Sequence, residues 1–237
     1  MSSAERAGPG LEPGLYVVST PIGNLGDMTE RARSALVGAD AIACEDTRRT
    51  GGLLRHLGIA NRLISYHDHN KLRRTPELLE MLRQGKRLAL ATDAGTPGIS
   101  DPGFYLVRAA AERGIPVRPV PGASALLAAL VISGLPTDRF AFEGFLPRRD
   151  GRRRKRITAL IGEERTMVFY ESPRRVGRLL ADLGELLGDR RVVLCRELTK
   201  KFEEVLRGTL GEVSAAIAGR ELRGEVVVVV AGREGRA

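Results

Sequence analysis

A buried strand, a turn rich in glycine and proline, and the start of a helix follow one another between Leu90 and Gly103. The segment reads LATDAGTPGISDPG, so an apolar run ends at Thr92 and Asp93 before three glycines and two prolines. Such a turn places backbone amides and a carboxylate at the carboxyl end of a strand, where open α/β sheets bind ligands. No Lys follows the last glycine, which argues against a phosphate-binding P-loop. The pattern favours a ligand-binding loop, and a tight connection without a ligand is the alternative.

Strand and helix patterns alternate along the rest of the chain and predict two α/β domains. Five strands before Pro121 indicate a parallel-rich sheet, and a second series ends in the run VVVVV, which is typical of a central strand covered on both faces. A chain of 237 residues with 43% hydrophobic content is long enough for both cores. We predict a flexible tail over residues 1–13, an N-terminal domain over 14–121 and a C-terminal domain over 122–237, with a cleft between the domains.

Cysteine use and hydropathy indicate which redox compartment the chain is suited to and whether its sequence contains a membrane span. Cys44 and Cys195 each lie in an apolar, strand-like run and neither belongs to a CxxC pair, so we expect buried structural thiols and a reducing cytoplasm. No run reaches the apolar length that a membrane span needs. His67 and His69 flank Asp68, but no third ligand follows at suitable spacing, so no metal site is expected.

Much of the formal net charge of +9 lies between Arg148 and Arg156, where seven cations are offset by one aspartate. Such a cluster attracts polyanions, and phosphate neutralisation dominates the affinity of proteins for nucleic acids. A solvated linker or helix start is the alternative. Because aromatic residues make up only 4% of the chain, we expect phosphate and shape contacts to carry most of the affinity for RNA.

Further motifs follow the predicted strands, and together they carry a family resemblance. In chain order they read PIGNLGD, EDTRRT, YHDHN, DAGTPGISDPG, VPGASA, FEGFLPR, FYESPRR and CRELTKKFEEVLRG. From about residue 14 to residue 232 the chain resembles the ribosomal RNA small subunit methyltransferase I family, within the tetrapyrrole methylase superfamily. The resemblance implies two α/β domains of the tetrapyrrole methylase type with S-adenosylmethionine in the cleft between them. It also implies a homodimer and methylation of the ribose 2′-hydroxyl of a cytidine in the decoding region of 16S ribosomal RNA.

The matching motifs imply a set of site residues. Cofactor contacts are implied for Pro21, Asp93, Thr96, Ile99, Ser124, Ala125 and Tyr170. A ribose hydroxyl is a poor nucleophile that a nearby base would assist, and the candidate bases are Glu45, Asp46, Asp101 and Glu171. Lys200 and Lys201 are candidates for stabilising the developing alkoxide or binding phosphate. For contacts with RNA phosphates we predict Arg152, Arg153, Arg154, Lys155 and Arg156.

Each catalytic candidate also has a structural interpretation: Asp46 as a helix cap, Glu171 as the partner of a nearby arginine, and Lys200 as a solvated cation. Two other functions stay open as well. The first is methylation of a precorrin-type tetrapyrrole, against which the basic cluster and the EDTRRT, YHDHN and RELTKKFEE motifs argue. The second is a non-catalytic RNA-binding module of the same fold, against which the intact cofactor turns argue.

Overall fold

The computed structural model describes residues 10–233. Within this range the chain divides into two compact units, and the division falls between Ser124 and Ala125. The predicted domain limits of 14–121 and 122–237 stay a prediction. Most of the predicted tail lies outside the described residues, but Leu11 packs against a core cluster and the Glu12 carboxylate pairs with Arg118.

The first unit contains a five-stranded sheet in the order β3-β2-β4-β1-β5, and every neighbouring pair in it is parallel. Its elements are β1 (Gly14–Val18), α1 (Glu30–Gly38), β2 (Ala41–Cys44), α2 (Thr47–His56), β3 (Leu63–Ser65), α3 (Lys71–Arg83), β4 (Arg87–Ala91), α4 (Gly103–Ala111) and β5 (Val117–Val120). Strands β1, β2 and β4 are apolar on both faces because each face has its own core cluster.

Parallel pairing determines where the loops of this unit lie. The carboxyl ends of parallel strands share one edge of the sheet, so the segments that follow all five strands gather there. PIGNLGD follows β1, EDTRRT follows β2, HDHN comes after β3, the glycine-rich turn follows β4 and PGAS follows β5. The strand-end motifs of the first unit therefore all lie along the same end of the sheet.

The second unit contains a mixed sheet in the order β6-β7-β10-β8-β9. Its elements are α5 (Ala125–Ser133), β6 (Phe140–Phe145), α6 (Asp150–Thr158), β7 (Thr166–Glu171), α7 (Val176–Leu187), β8 (Arg191–Arg196), β9 (Glu204–Thr209), α8 (Leu210–Ile217) and β10 (Val226–Val230). Only β6 and β7 pair in parallel, and β10 runs antiparallel to both of its neighbours. All five valines of β10 are buried, which confirms the predicted central strand.

One edge of this mixed sheet carries the motifs of the second unit. Tyr170 pairs with Val227 near the amino end of β10, and Arg196 at the end of β8 pairs with Glu204 at the start of β9. The carboxyl ends of β6, β7 and β8 therefore lie beside the amino ends of β9 and β10. We call this edge the Tyr170 edge.

Two helix starts bear on the predicted site residues. Helix α2 begins at Thr47, because the Asp46 side chain caps it. Helix α6 begins at Asp150, so Arg152 to Arg156 lie on its first turns and Arg148 and Arg149 directly precede it. Both predicted buried thiols, Cys44 and Cys195, are buried and unbonded. No helix in the described part of the chain is long and apolar enough to cross a membrane.

Candidate functional site

The glycine-rich turn after β4 is held in shape by Asp101. Its carboxylate accepts hydrogen bonds from the backbone amides of Gly98, at 2.9 Å to each oxygen, and Gly103, at 2.7 Å. Gly95 and Gly98 adopt φ values of +82° and +89°, which an L side chain rarely tolerates. Because its carboxylate accepts three hydrogen bonds from two backbone amides, Asp101 positions the loop and is a poor candidate for a general base.

Side chains and backbone also join this turn to the loops that follow β1 and β5. Thr20 and Gly95 exchange two backbone hydrogen bonds, at 2.9 and 3.1 Å. The Ser19 and Thr96 hydroxyls lie 2.9 Å apart, and Thr96 donates to the carbonyl oxygen of Ala123 at 3.1 Å. Three loops thus form one hydrogen-bonded assembly with Thr96 at its centre. Sequence reasoning missed Ser19 and Thr20, although both directly precede the PIGNLGD motif.

The first unit brings together the cofactor residues that were predicted for it. Pro21 and Ser124 are half-buried and Ile99 is exposed, all on the loops at the carboxyl edge of the parallel sheet. A Cβ atom on Gly122 would lie 2.9 Å from Cβ of Ser19, so the loops after β1 and β5 approach closely enough to require glycine. The edge presents an apolar side chain, small side chains and closely approaching backbone, which suits a small organic ligand.

Asp93 connects the glycine-rich turn to helix α2. Its carboxylate accepts the backbone N–H of Asp46 at 3.1 Å and lies 3.5 Å from the Arg49 guanidinium. Desolvation and the nearby carboxylates, Asp93 first among them, raise the pKa of Glu45. Glu45 lies at the end of β2, is exposed, and holds a proton more tightly than a free glutamate does.

Asp46 is occupied within its own helix. Its side chain accepts the backbone N–H of Arg48 at 2.8 Å and pairs with the Arg48 guanidinium, also at 2.8 Å. These bonds hold the pKa of Asp46 well below its usual range. The capping role that the sequence left open is therefore the one that the structure shows.

Tyr170 lies near the end of β7 and fixes the start of α5. Its hydroxyl oxygen accepts the backbone N–H of Leu126 at 3.0 Å, and burial raises the pKa of the phenol. Phe142 and Phe145 pack edge-to-face against its ring, with centroids 4.9 and 5.6 Å away. Tyr170 thus positions the backbone that directly follows Ala125.

Two of the three remaining catalytic candidates, Glu171 and Lys200, are already paired. Glu171 is buried, lies 2.9 Å from the Arg175 guanidinium and accepts the backbone N–H of Ser172 at 2.7 Å.

Lys200 lies between Glu197, at 2.8 Å, and Glu225, at 3.0 Å. Burial acts against the charged form of Lys200, but these two carboxylates outweigh it and raise its pKa. Lys201 is exposed and has no ion pair among the described residues.

The predicted RNA-binding cluster separates into two groups. Arg153 is buried and pairs with Asp182 at 2.6 Å. Arg154 pairs with Asp182 and Glu185, and Arg156 forms two hydrogen bonds to the Glu143 carboxylate.

The prediction that Arg153 contacts RNA is corrected, because its buried guanidinium pairs with Asp150 and Asp182 and is not available to RNA. Arg152 and Lys155 are exposed, and neither has an ion pair within residues 10–233. Within the same range, no group of three or more His, Cys, Asp or Glu residues is arranged to hold a metal ion.

Comparison with known proteins gives consistent matches. The family model for tetrapyrrole (corrin/porphyrin) methylases matches residues 14–214. A ribosomal RNA small subunit methyltransferase I from a Synechocystis species is 52% identical over 219 residues, which are 92% of this chain and 78% of that protein. The protein of the same name from Escherichia coli O157:H7 is 48% identical over 223 residues, covering 93% of this chain and 78% of its own length.

Solved structures match at the level of the fold. A cobalt precorrin-4 methyltransferase aligns with a TM-score of 0.67 at 16% identity, covering 92% of this chain and 94% of the other. A uroporphyrin-III C-methyltransferase from Thermus thermophilus, complexed with S-adenosylhomocysteine, aligns with a TM-score of 0.64 at 20% identity, covering 92% and 97%. These matches confirm the predicted α/β fold class of the tetrapyrrole methylase type.

Proposed function

This chain belongs to the tetrapyrrole (corrin/porphyrin) methylase family, and on that basis we propose that it methylates ribosomal RNA of the small subunit with S-adenosylmethionine as methyl donor. The observation that carries this proposal is a sequence identity of about one half to proteins named ribosomal RNA small subunit methyltransferase I, along more than nine-tenths of the chain. We further propose that the acceptor is the ribose 2′-hydroxyl of a cytidine in the decoding region of the 16S RNA.

The loops of the first unit fit the proposed cofactor. The backbone at Gly122 approaches Ser19 too closely for a side chain, and Gly95 and Gly98 adopt positive φ values, so these loops present backbone atoms rather than side chains to a ligand. Pro21, Thr96, Ile99 and Ser124 are the residues of this unit that would hold the cofactor, with Asp93 supporting the turn. For the second unit the proposal names Ala125 and Tyr170. When bound, S-adenosylmethionine supplies a methyl group on a sulfonium centre, and its leaving group needs no acid.

Among the acidic candidates, Glu45 is the one we propose as general base. Asp46, Asp101 and Glu171 have their carboxylates engaged by backbone amides or arginine. The raised pKa of Glu45 makes it a stronger base than an ordinary glutamate, so it suits removal of the proton from a ribose hydroxyl. Positioning of the hydroxyl oxygen in line with the methyl group supplies much of the remaining acceleration.

The exposed cations support contacts with the RNA phosphates. Arg152 and Lys155 lie three residues apart on α6, and Arg148 and Arg149 directly precede this helix. All four are exposed, and the ion pairs found in the described part of the chain involve none of them. We propose these four cations, rather than the five of the original prediction, as the phosphate contacts of the second unit.

Helix α5 supports the proposal of a homodimer. Its sequence ALLAALVIS is apolar on every face, and Leu127, Val131 and Ile132 are exposed. An apolar surface of this kind is suited to a second copy of the chain. A Val131→Asp variant should shift the species seen by sedimentation from dimer to monomer, and an unchanged sedimentation profile would count against α5 as the contact.

Transfer of a labelled methyl group tests the function directly. Purified small subunits, naked 16S RNA and a precorrin substrate are incubated in parallel with the protein and labelled S-adenosylmethionine. We expect label in RNA, at a ribose that resists alkaline cleavage because its 2′-oxygen is methylated. Label in the precorrin alone would establish the tetrapyrrole alternative. Absence of label from all three substrates, with cofactor binding intact, would favour a non-catalytic RNA-binding module.

A further inference from the structure

An exposed aromatic side chain lies at the Tyr170 edge, in the loop between β8 and β9. Phe202 is 65% exposed, and the ammonium of Lys201 lies 5.6 Å from the centroid of its ring. A cation beside an accessible aromatic face offers both stacking and charge to a ligand that carries a ring and an anion. Nucleotides are ligands of this kind.

The loop that presents Phe202 has a strained backbone that several contacts hold in place. Glu197 and Thr199 adopt φ values of +52° and +66°, which are unfavourable for residues other than glycine. The Lys200 ion pairs hold this conformation, and the Glu203 carboxylate accepts the backbone N–H of Thr199. Strain of this kind persists only where the surroundings enforce it, and it concentrates at functional sites. These contacts therefore hold the loop conformation in which Phe202 is exposed.

A second exposed aromatic residue lies at the same edge of the sheet. Phe145 ends β6 and is 57% exposed, with its ring packed edge-to-face against Tyr170. Strands β6 and β9 are the two outer strands of this sheet, so four strand spacings of about 4.8 Å put the two ends of the edge roughly 19 Å apart. Two phenylalanine rings thus lie near opposite ends of the Tyr170 edge.

We propose that the Tyr170 edge binds a single-stranded segment of RNA, with Phe202 and Phe145 each stacking on an unpaired base. The inference rests on the proposed function, which makes RNA the substrate, and it specifies which form of RNA this surface receives. Lys201 lies beside one ring and Arg148 lies three residues beyond the other, so cations are available for the phosphates between the two bases. Bases in a duplex are stacked on their neighbours, so the rings select for unpaired nucleotides.

Binding of a short single-stranded RNA oligonucleotide, compared with a duplex of the same sequence, tests the proposal. Phe202→Ala and Phe145→Ala should each weaken binding of the single strand by about five-fold to about 150-fold, the range expected for the loss of one stacked base. The double variant should show the product of the two effects, because the rings are too far apart to couple. Binding of the duplex should change little.

Matched variants separate stacking from general damage. Phe140→Ala removes the same side chain from the opposite end of β6, where it is also exposed, and should leave binding unchanged. Phe202→Trp keeps an aromatic face and should retain the affinity of the wild type. Thermal unfolding of each variant confirms that the second unit is intact.

Several results would overturn the inference: a Phe202→Ala variant that binds the single strand like the wild type, an equal loss for duplex RNA, or no binding of the single strand by the wild type. Methyl transfer to small subunits, measured on the same preparations, keeps the two proposals distinguishable. Active transfer with unchanged binding by Phe202→Ala would reject the stacking surface and leave the methyltransferase in place. Single-strand binding that depends on Phe202, without any transfer, would do the reverse.

Discussion

Replacing Arg153 by glutamine should destabilise the second unit without changing its phosphate contacts. Arg153 is 2% exposed, and its guanidinium lies 2.6 Å from Asp182, whose side chain is 11% exposed. Removing one partner of a buried ion pair leaves the other charge desolvated, which costs about 3–5 kcal/mol. Arg154 stays 3.0 Å from Asp182 and offsets part of this cost, so we expect a loss near the lower end, about 3 kcal/mol.

The neighbouring Arg152 provides a control for which we expect the opposite result in both measurements, stability and RNA binding. It is exposed, so Arg152→Gln should change the free energy of unfolding by less than about 0.5 kcal/mol. It should also make the salt dependence of RNA binding shallower: the negative slope of log K against log salt concentration should shrink by about 0.7 to 0.9, the value of one phosphate contact. Denaturant unfolding and RNA titrations at several salt concentrations give the two quantities for each variant.

The reasoning is refuted if Arg153→Gln is as stable as Arg152→Gln, because the buried ion pair would then contribute nothing. It is also refuted if Arg153→Gln lowers the salt slope while the protein is folded, since Arg153 would then contact RNA. The compensated variant Arg153→Met with Asp182→Leu removes both charges and should recover most of the lost stability.

Three further predictions follow from the other ion pairs and hydrogen bonds. Glu45→Gln should lower the single-turnover rate of methyl transfer by about 100-fold or more while the Kd for S-adenosylmethionine stays constant. In the wild type, the rate should fall on the acidic side of its pH profile at a pH above the ordinary pKa of glutamate, because the pKa of Glu45 is raised. Tyr170→Phe leaves the amide of Leu126 without its acceptor and should weaken cofactor binding by about five-fold in calorimetry, at about 1 kcal/mol per hydrogen bond; unchanged affinity would count against this positioning role. The pKa of Asp40 is lowered to about 2 by Arg87, so this pair stabilises the fold above the unfolded-state pKa of 3.8, and that stability is lost as the pH falls towards 2; Asp40→Asn should flatten this part of the stability profile measured by acid unfolding.

The sequence predicts the first unit better than the second because of how their strands pair. In the first unit each strand is followed by a helix, and this alternation favours parallel pairing, which places every strand-end motif at one edge. In the second unit β10 enters between β7 and β8 and runs antiparallel to both. Periodicity identifies the strand Val226–Val230 as buried, but it carries no information about which neighbours it pairs with.

The arginine cluster shows the same limit for charged residues. Seven cations in nine residues indicate a surface that binds polyanions as long as the ion-pair partners of these cations are unknown. Besides Asp150, the carboxylates that pair with Arg153 and Arg154 lie on α7, about thirty residues away along the chain, and only the packing of α6 against α7 brings them together. The charge on the surface is therefore smaller than the charge in the sequence.

Glu45 and Asp46 show why a catalytic assignment needs the structure. The two carboxylates are adjacent in the sequence and follow the same strand, so chain position gives neither of them priority. Asp46 caps α2 and pairs with Arg48, and both contacts stabilise its ionised form and make it a weak base. Desolvation raises the pKa of Glu45 instead, and the nearby Asp93 carboxylate adds to this effect. One residue of displacement along the backbone thus separates a helix cap from a candidate base, and Asp46→Ala should lower thermal stability by removing the cap while Glu45→Gln lowers the rate.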